Sequence, residues 1–398
     1  MVHQYKLGGY NIVIDANSGS VHSVDDVAYD IIGMYENADF DEICKEILPK
    51  YASENLTEQD IRDVMDDLEE LQKEGTLFSE DIFEEAASKI KRKQSVLKAI
   101  CLHVAHGCNM DCRYCFAGKG DYSGKAGIMP LEVGKQALDY LVEQSGSRKN
   151  LEVDFFGGEP LLNWDVCKEL VAYGRELEKK YDKKFNFTLT TNGLLIDDEV
   201  IDFCNKEMGN VVLSLDGRKE VNDNMRPTAG GKGSYDIIVP KFQALVEQRG
   251  DQEYYLRGTF TKENLHFAND VLHICDDLGF KNVSVEPATG KDGDPLAITM
   301  EDLPVVFAEY EKLAKELLKR PDVNFFHFYV DLEQGPCVIK RMRGCGAGNE
   351  YVAITPEGDI YPCHQFVGDE KFKLGNIWDG VENHAVQAEF AGCNVYAR

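Results

Sequence analysis

Val96-Leu-Lys-Ala-Ile-Cys-Leu-His-Val104, followed four residues later by Cys108-Asn-Met-Asp-Cys112-Arg-Tyr-Cys115, is the stretch that decides the fold. The first part is a short apolar run with β-branched residues and reads as a strand. The second packs three thiols into eight residues directly after it. Beyond it, strand and helix signals alternate. Strands are expected at 151–156, 185–190, 210–215, 254–260 and 282–286, and helices at 130–144, 164–181, 197–207, 234–248, 264–278 and 300–319. This tandem predicts an α/β fold with a parallel sheet and outer helices. Six βα units fall short of the eight that close a full barrel, so an open, partial (β/α)6 barrel is expected over residues 96–320.

Three thiolates on one tight loop can hold three irons of a [4Fe–4S] cube and leave the fourth iron open. Zinc is the competing reading, but structural zinc wants four ligands. No further Cys or His follows at ligand spacing, and His103 and His106 fall on the strand and its end.

Other motifs fall at the ends of later strands: Phe156-Gly-Gly-Glu-Pro160, Thr190-Thr-Asn-Gly193 and Ser214-Leu-Asp-Gly217. Barrel active sites lie at these C-terminal strand ends. With aromatic Tyr114 before the last cysteine of the triplet, the set resembles the radical S-adenosylmethionine (SAM) superfamily. The resemblance implies that Cys108, Cys112 and Cys115 ligate a [4Fe–4S] cluster whose open iron is chelated by the methionine end of SAM. It implies that Glu159 accepts a hydrogen bond from the SAM ammonium, a charge-assisted pair. Ser214 and Asp216 would meet polar groups of SAM, Arg226 its carboxylate, and Tyr114 and Phe116 its adenine. Gly157 and Gly158 would let the backbone approach the cofactor without a Cβ in the way. One electron, from a donor such as flavodoxin or ferredoxin, would then cleave SAM to methionine and a 5′-deoxyadenosyl radical. That radical takes a hydrogen atom from an unactivated C–H.

From about residue 325 the pattern changes. Tyr351–Ile354 and Asp359–Tyr361 flank Thr-Pro-Glu-Gly (355–358), a hairpin turn. Cys345 and Cys363 lie outside the two strands, and the run resembles the opening half of a SPASM or Twitch extension, which carries auxiliary iron–sulfur clusters. The resemblance makes Cys345 and Cys363 ligands of an auxiliary [4Fe–4S] cluster, with Cys337 a further possibility; the alternative is buried, inert thiols. A full SPASM domain continues with a second dense cysteine group. Here only Cys393 follows Cys363 before Arg398, so residues 325–398 read as an incomplete, truncated extension.

Residues 1–85 read as a separate unit. Tyr10–Asp15 and 19–24 are strands around a turn at 17–19, and helices follow at 25–35, 39–51 and 57–74. Asp39 and Thr57 are N-caps, Gly75 a C-terminal stop, and 76–78 a closing strand. A Lys-rich bridge at 89–94 leads into the barrel. The order is that of a winged-helix-like module, but residues 1–90 carry 22 acidic and 6 basic side chains, within a chain of net charge −27. That sign excludes nucleic acid and anionic membrane surfaces as partners. There is no signal-peptide pattern and no apolar run of membrane length, which places the expected site of action in the cytoplasm. Cys44, Cys101, Cys167, Cys204 and Cys275 sit among apolar residues and read as small core side chains. The module resembles the peptide-recognition elements of enzymes that modify ribosomally made peptides, in which a leader peptide adds a strand to a sheet edge. The acidic surface favours a leader with basic residues. Across nearly the whole chain the sequence is similar to maturases of "six cysteines in forty-five residues" peptides, which join a cysteine sulfur to an acceptor α-carbon. Two other readings stand beside it: a sulfatase-maturase-like side-chain dehydrogenase, and a non-catalytic iron–sulfur protein that binds peptides.

Overall fold

The computed structural model describes residues 1–84, 96–122, 126–290, 293–330 and 344–397. The bridge at 89–94 and Cys337 lie outside them. The described residues fall into two compact units, one built on residues 1–84 and the other on 96–329 with 345–393.

The first unit is a three-stranded antiparallel sheet, β1 (Val2–Leu7), β2 (Tyr10–Asp15) and β3 (Val21–Val24), followed by helices α1 (Asp26–Met34), α2 (Phe40–Lys50) and α3 (Glu58–Glu74). The sequence reading passed over β1. Its signal was Gly8-Gly9, a two-residue hairpin loop with φ of 61° and 88°, a left-handed backbone that favours glycine at both positions. Asp39 and Thr57 each form a full capping box, and Gly75 closes α3 in the left-handed conformation. Ile31, Ile43, Ile47, Ile61 and Leu68 bury the inner helix faces against Val13. The expected strand at 76–78 is a turn instead. The Thr76 and Leu77 N–H groups both donate to the Leu71 carbonyl, capping α3, so they are spent before any ladder could form.

In the second unit, β4 (Ala99–His106), β6 (Asn150–Gly157), β7 (Lys184–Thr191), β8 (Asn210–Ser214), β9 (Tyr254–Phe260) and β10 (Asn282–Pro287) pair in parallel in chain order. The expected open barrel is present. Helices α4 (Leu131–Gln144), α5 (Trp164–Tyr181), α6 (Asp198–Glu207), α7 (Lys219–Met225), α8 (Tyr235–Arg249), α9 (Phe267–Leu272) and α10 (Leu303–Leu317) cover its outside. The helix expected at 264–278 is only partly α: a π turn at His273–Asp277 follows α9, and Gly279 ends it. Alternate strand residues, among them Ile100, Leu102, Phe155, Phe187 and Leu213, join the helices in one apolar core. Their neighbours along each strand face the barrel interior.

Several additions were not foreseen. A short strand, β5 (Gly127–Ile128), pairs with the end of β4, and β11 (Asn324–Phe325) extends the sheet beside β10. The largest is that β12 (Tyr351–Ile354) pairs in parallel with β4, Tyr351 opposite Ala99. The predicted hairpin of β12 with β13 (Asp359–Tyr361) is present, but it is laid on the barrel's first strand and continued by β14 (Gly375–Asn376) and β15 (Gly380–Val381). β4 is consequently buried along its whole length. The cysteine triplet therefore leaves a strand with sheet on both sides, a rigid base for a loop that must hold a set geometry.

Candidate active site

A cavity of about 510 Å³ opens at the C-terminal ends of the barrel strands. Cys108, Cys112 and Cys115 line one wall of it, all half-buried. Tyr114, Phe116, Gly157, Gly158 and Glu159 line it too, as do Ser214 and Arg226. Asp216, Cys345 and Cys363 do not.

The loop that carries the thiols is packed by glycine. Gly157 has φ of 127°, and a Cβ there would meet Ala105 O at 2.3 Å; at Gly158 a Cβ would meet Gly107 O at 2.0 Å. Both glycines line the cavity, where they were expected to let the backbone approach the cofactor, and the same lack of a Cβ has a second use. It makes room for the root of the cysteine loop, tied by Gly158 N–H to Ala105 O (2.8 Å) and Glu159 N–H to Gly107 O (2.9 Å). Gly158→Ala is expected to cost about 1–3 kcal/mol, the scale of overpacking against a backbone that cannot move freely. It should also lower iron bound after anaerobic reconstitution, read by iron quantification. Wild-type iron content and melting would contradict this packing account.

Glu159 is buried, with Oε1 accepting from Leu161 N–H (3.0 Å) and Thr191 Oγ1 (2.7 Å), and Oε2 from Asn192 N–H (2.8 Å). Burial raises its pKa against the pull of these donors. Oε2 keeps acceptor capacity toward the cavity, since a carboxylate offers about four lone-pair sites.

Asp216 is placed differently from the sequence reading. Its two oxygens both lie 2.9 Å from Tyr114 OH, and Oδ1 also accepts from Thr259 N–H (3.0 Å). Arg226 donates from Nη1 to Tyr114 OH at 2.8 Å and stands 4.0 Å from Asp216. The three groups form a buried brace behind the cavity wall, with Asp216 facing Tyr114 and not the cavity. Burial pushes the Asp216 carboxyl up to about 6 even with Arg226 and Tyr114 holding it down. Tyr114 is correspondingly spent on this brace through its hydroxyl, while its ring lines the cavity. Arg226 Nε is buried with no hydrogen-bond partner. An orphaned guanidinium donor on a residue lining the cavity fits an anionic group such as the carboxylate of SAM.

The thiols fit a cluster better than a single ion. Among the described residues, no three His, Cys, Asp or Glu side chains converge on a point that one metal ion could fill. A cube that presents a separate iron to each thiolate needs no such convergence. Burial pushes the Cys112 thiol up to about 11, with the nearby Arg226 acting in the opposite sense.

The far wall holds residues that the motifs did not mark. Arg257, Thr259 and Glu286 line it, and their positions alternate with the apolar residues of β9 and β10; strand parity was the signal that could have found them. Glu286 accepts from Ser284 Oγ (2.7 Å) and pairs with His327 (2.9 Å), whose other nitrogen meets Tyr310 OH (2.9 Å). Burial would raise the Glu286 pKa, but these partners outweigh it and hold the carboxyl below its usual range. The C-terminal hairpin contributes His364 and Gln365. His364 Nδ1 lies 3.6 Å from Cys363 Sγ and 3.1 Å from Tyr351 OH. Burial, then Arg257, lower its pKa to about 4, so the imidazole is neutral. Gly348 N–H donates to Pro362 O (3.0 Å), which ties the segment after Cys345 to the one before Cys363. Cys345 is exposed and Cys363 half-buried, so the buried-thiol alternative does not describe Cys345.

Residues 102–261 match the Radical SAM superfamily, and residues 345–383 match SPASM, an iron–sulfur cluster-binding domain. The chain thus carries an iron–sulfur domain of the radical SAM kind followed by a SPASM extension. These two domains imply a [4Fe–4S] cluster and SAM as cofactors, and auxiliary clusters are typical of the second. Relatives include the mycofactocin maturase MftC of Mycolicibacterium smegmatis, 26% identical over 289 residues, 70% of this chain and 67% of that protein. A cysteine-type anaerobic sulfatase-maturating enzyme of Clostridium novyi is 24% identical over 288 residues, 68% of this chain and 74% of its own. In fold, the chain is similar to Streptococcus suis SuiB bound to precursor peptide SuiA, with a TM-score of 0.56, 16% identity, and 99% and 88% of the two chains covered.

Proposed function

We propose that this protein is a radical SAM peptide maturase that installs sulfur-to-α-carbon thioether links in a ribosomally made, Cys-rich peptide. The observation that carries the reading is one cavity lined by Cys108, Cys112 and Cys115 and, on another wall, by His364, the residue next to Cys363 in the chain. A peptide residue in that cavity would lie between the source of the radical and a second iron–sulfur site. When bound, the cluster and SAM supply a 5′-deoxyadenosyl radical that takes a hydrogen atom from an unactivated C–H. The protein's own work is placement. Glu159, Ser214 and Arg226 bind the polar groups of SAM, with Phe116 and the ring of Tyr114 near its adenine. The Asp216 brace holds Tyr114, and with it the cysteine loop. Cys345 and Cys363 ligate the auxiliary site, where a peptide thiolate could be held and the surplus electron accepted. The curated maturase relative supports a peptide substrate; the sulfatase-maturating relative supports a second reading, oxidation of a Cys or Ser side chain. Anaerobic incubation with SAM, dithionite and a Cys-rich peptide encoded beside the gene separates them. Thioether formation removes two hydrogens per link and leaves cross-linked fragments in tandem mass spectra. Side-chain oxidation to an aldehyde leaves no cross-link.

Residues 1–85 are the leader-binding module in this reading. Among the described residues β3 pairs only with β2, so its outer edge is open to an added strand. Deleting residues 1–85 should weaken binding of a fluorescent precursor peptide at least tenfold, about 1.4 kcal/mol, measured by anisotropy. Because the module is acidic, binding to the intact protein should also weaken as salt rises. Unchanged affinity after deletion would remove the module from the account. A flavodoxin- or ferredoxin-type protein would supply the electron. Among the described residues no helix is long and apolar enough to cross a membrane.

A further inference from the structure

Thr190-Thr-Asn-Gly193 stands at the end of β7, and the proposed reaction gives its asparagine no task. Asn192 is buried and lines the cavity. Its carbonyl Oδ1 accepts from Leu194 N–H at 3.0 Å, an Asx turn, which fixes which end of the amide points where. The NH₂ end is therefore turned to the cysteine loop. It donates to Asn109 Oδ1 at 2.7 Å and to Cys108 Sγ at 3.5 Å. The Asn192 backbone N–H donates to Glu159 Oε2 at 2.8 Å, which fixes the main chain at this residue. Cys108 Sγ also receives Met110 N–H at 3.4 Å. Among the described residues, no hydrogen bond donor reaches the sulfur of Cys112 or Cys115.

We infer that Asn192 is a positioning residue that tunes the triplet cluster through Cys108. N–H donors to a ligand sulfur stabilise the more negative, reduced cluster and raise its reduction potential. Among the described residues two donors meet one sulfur and none meets the others, which makes the iron at Cys108 the easier one to reduce. The step concerned is a one-electron reduction, with dithionite as the reductant.

The test is a potentiometric titration followed by EPR on the reconstituted full chain, reading the signal that changes when SAM is added and so belongs to the triplet. Asn192→Ala removes the donor. Asn192→Ser also removes it but keeps an oxygen that can accept from Leu194 N–H and preserve the turn. Asn109→Ala leaves the Asn192–Cys108 contact in place and serves as the control. The expected result is full iron and about a tenfold lower reduced-to-oxidised ratio at a fixed potential in the Asn192 variants, about 59 mV for a one-electron couple. The control should titrate as wild type. A wild-type potential in Asn192→Ser would overturn the inference, as would an equal shift in Asn109→Ala. Failure of both Asn192 variants to hold iron would also overturn it, since Asn192 would then build the site instead of tuning it.

Discussion

Replacing Cys108, Cys112 and Cys115 together with Ala brings 5′-deoxyadenosine formation from SAM and dithionite down to the level without protein. The three thiols border one cavity, and their loop is locked to the end of β6 by backbone hydrogen bonds. Among the described residues no other cysteine lines that cavity. Thiolates are the ligands that hold a [4Fe–4S] cluster, so removing all three removes the site that reduces SAM. Chromatography of the anaerobic reaction mixture checks it, and full 5′-deoxyadenosine production by the triple variant would end the assignment. Iron in the same variant has its own meaning. Iron that remains would be held by the C-terminal site through Cys345 and Cys363; a variant with no iron would deny that site.

Asp216→Ala has the second largest expected effect, and it acts on stability before activity. The side chain of Asp216 is fully buried and that of Arg226 nearly so, with Tyr114 OH bonded to both. Deleting the carboxylate leaves the guanidinium buried without its anion and strands the tyrosine hydroxyl and Thr259 N–H. Removing one partner of a buried ion pair costs about 3–5 kcal/mol. Chemical denaturation of the protein should show a loss of this size. Asp216→Asn should lose less, because it keeps an acceptor for Tyr114. If Asp216 instead served SAM directly, Asp216→Ala would melt like wild type and lose only SAM affinity.

The contrast between these two residues shows what could be read in the sequence and what could not. Cys108, Cys112 and Cys115 are marked by spacing alone, because a cluster demands several thiols close together. The barrel strands were legible through their apolar alternation, and the caps at Asp39, Thr57 and Gly75 through residue type, since those signals act within a few residues. Asp216 is marked by a motif, but spacing does not say which partner its oxygens meet. Tyr114 lies over a hundred positions away, and their pairing exists only once β8 is next to the cysteine loop. The same holds for β12. Its apolar run predicts a strand and a hairpin, but its pairing with β4 joins residues some 250 positions apart. Gly157 and Gly158 were correctly singled out as positions that exclude a Cβ; that the excluded contact is Gly107 and Ala105 is a matter of tertiary packing. Thr76 and Leu77 were misread because β-forming residues at a helix end were taken for a strand, when the orphaned carbonyl of Leu71 had first claim on them.

The central claim is that a radical made from SAM in this cavity takes a hydrogen atom from a bound peptide. Its most direct test uses the Cys-rich precursor labelled with deuterium at the α-carbon of its acceptor residues, with the wild-type protein, SAM and dithionite. The account predicts deuterium in the 5′-deoxyadenosine and a peptide lighter by the hydrogens lost in each link. 5′-Deoxyadenosine free of deuterium, beside an unchanged peptide, would contradict it.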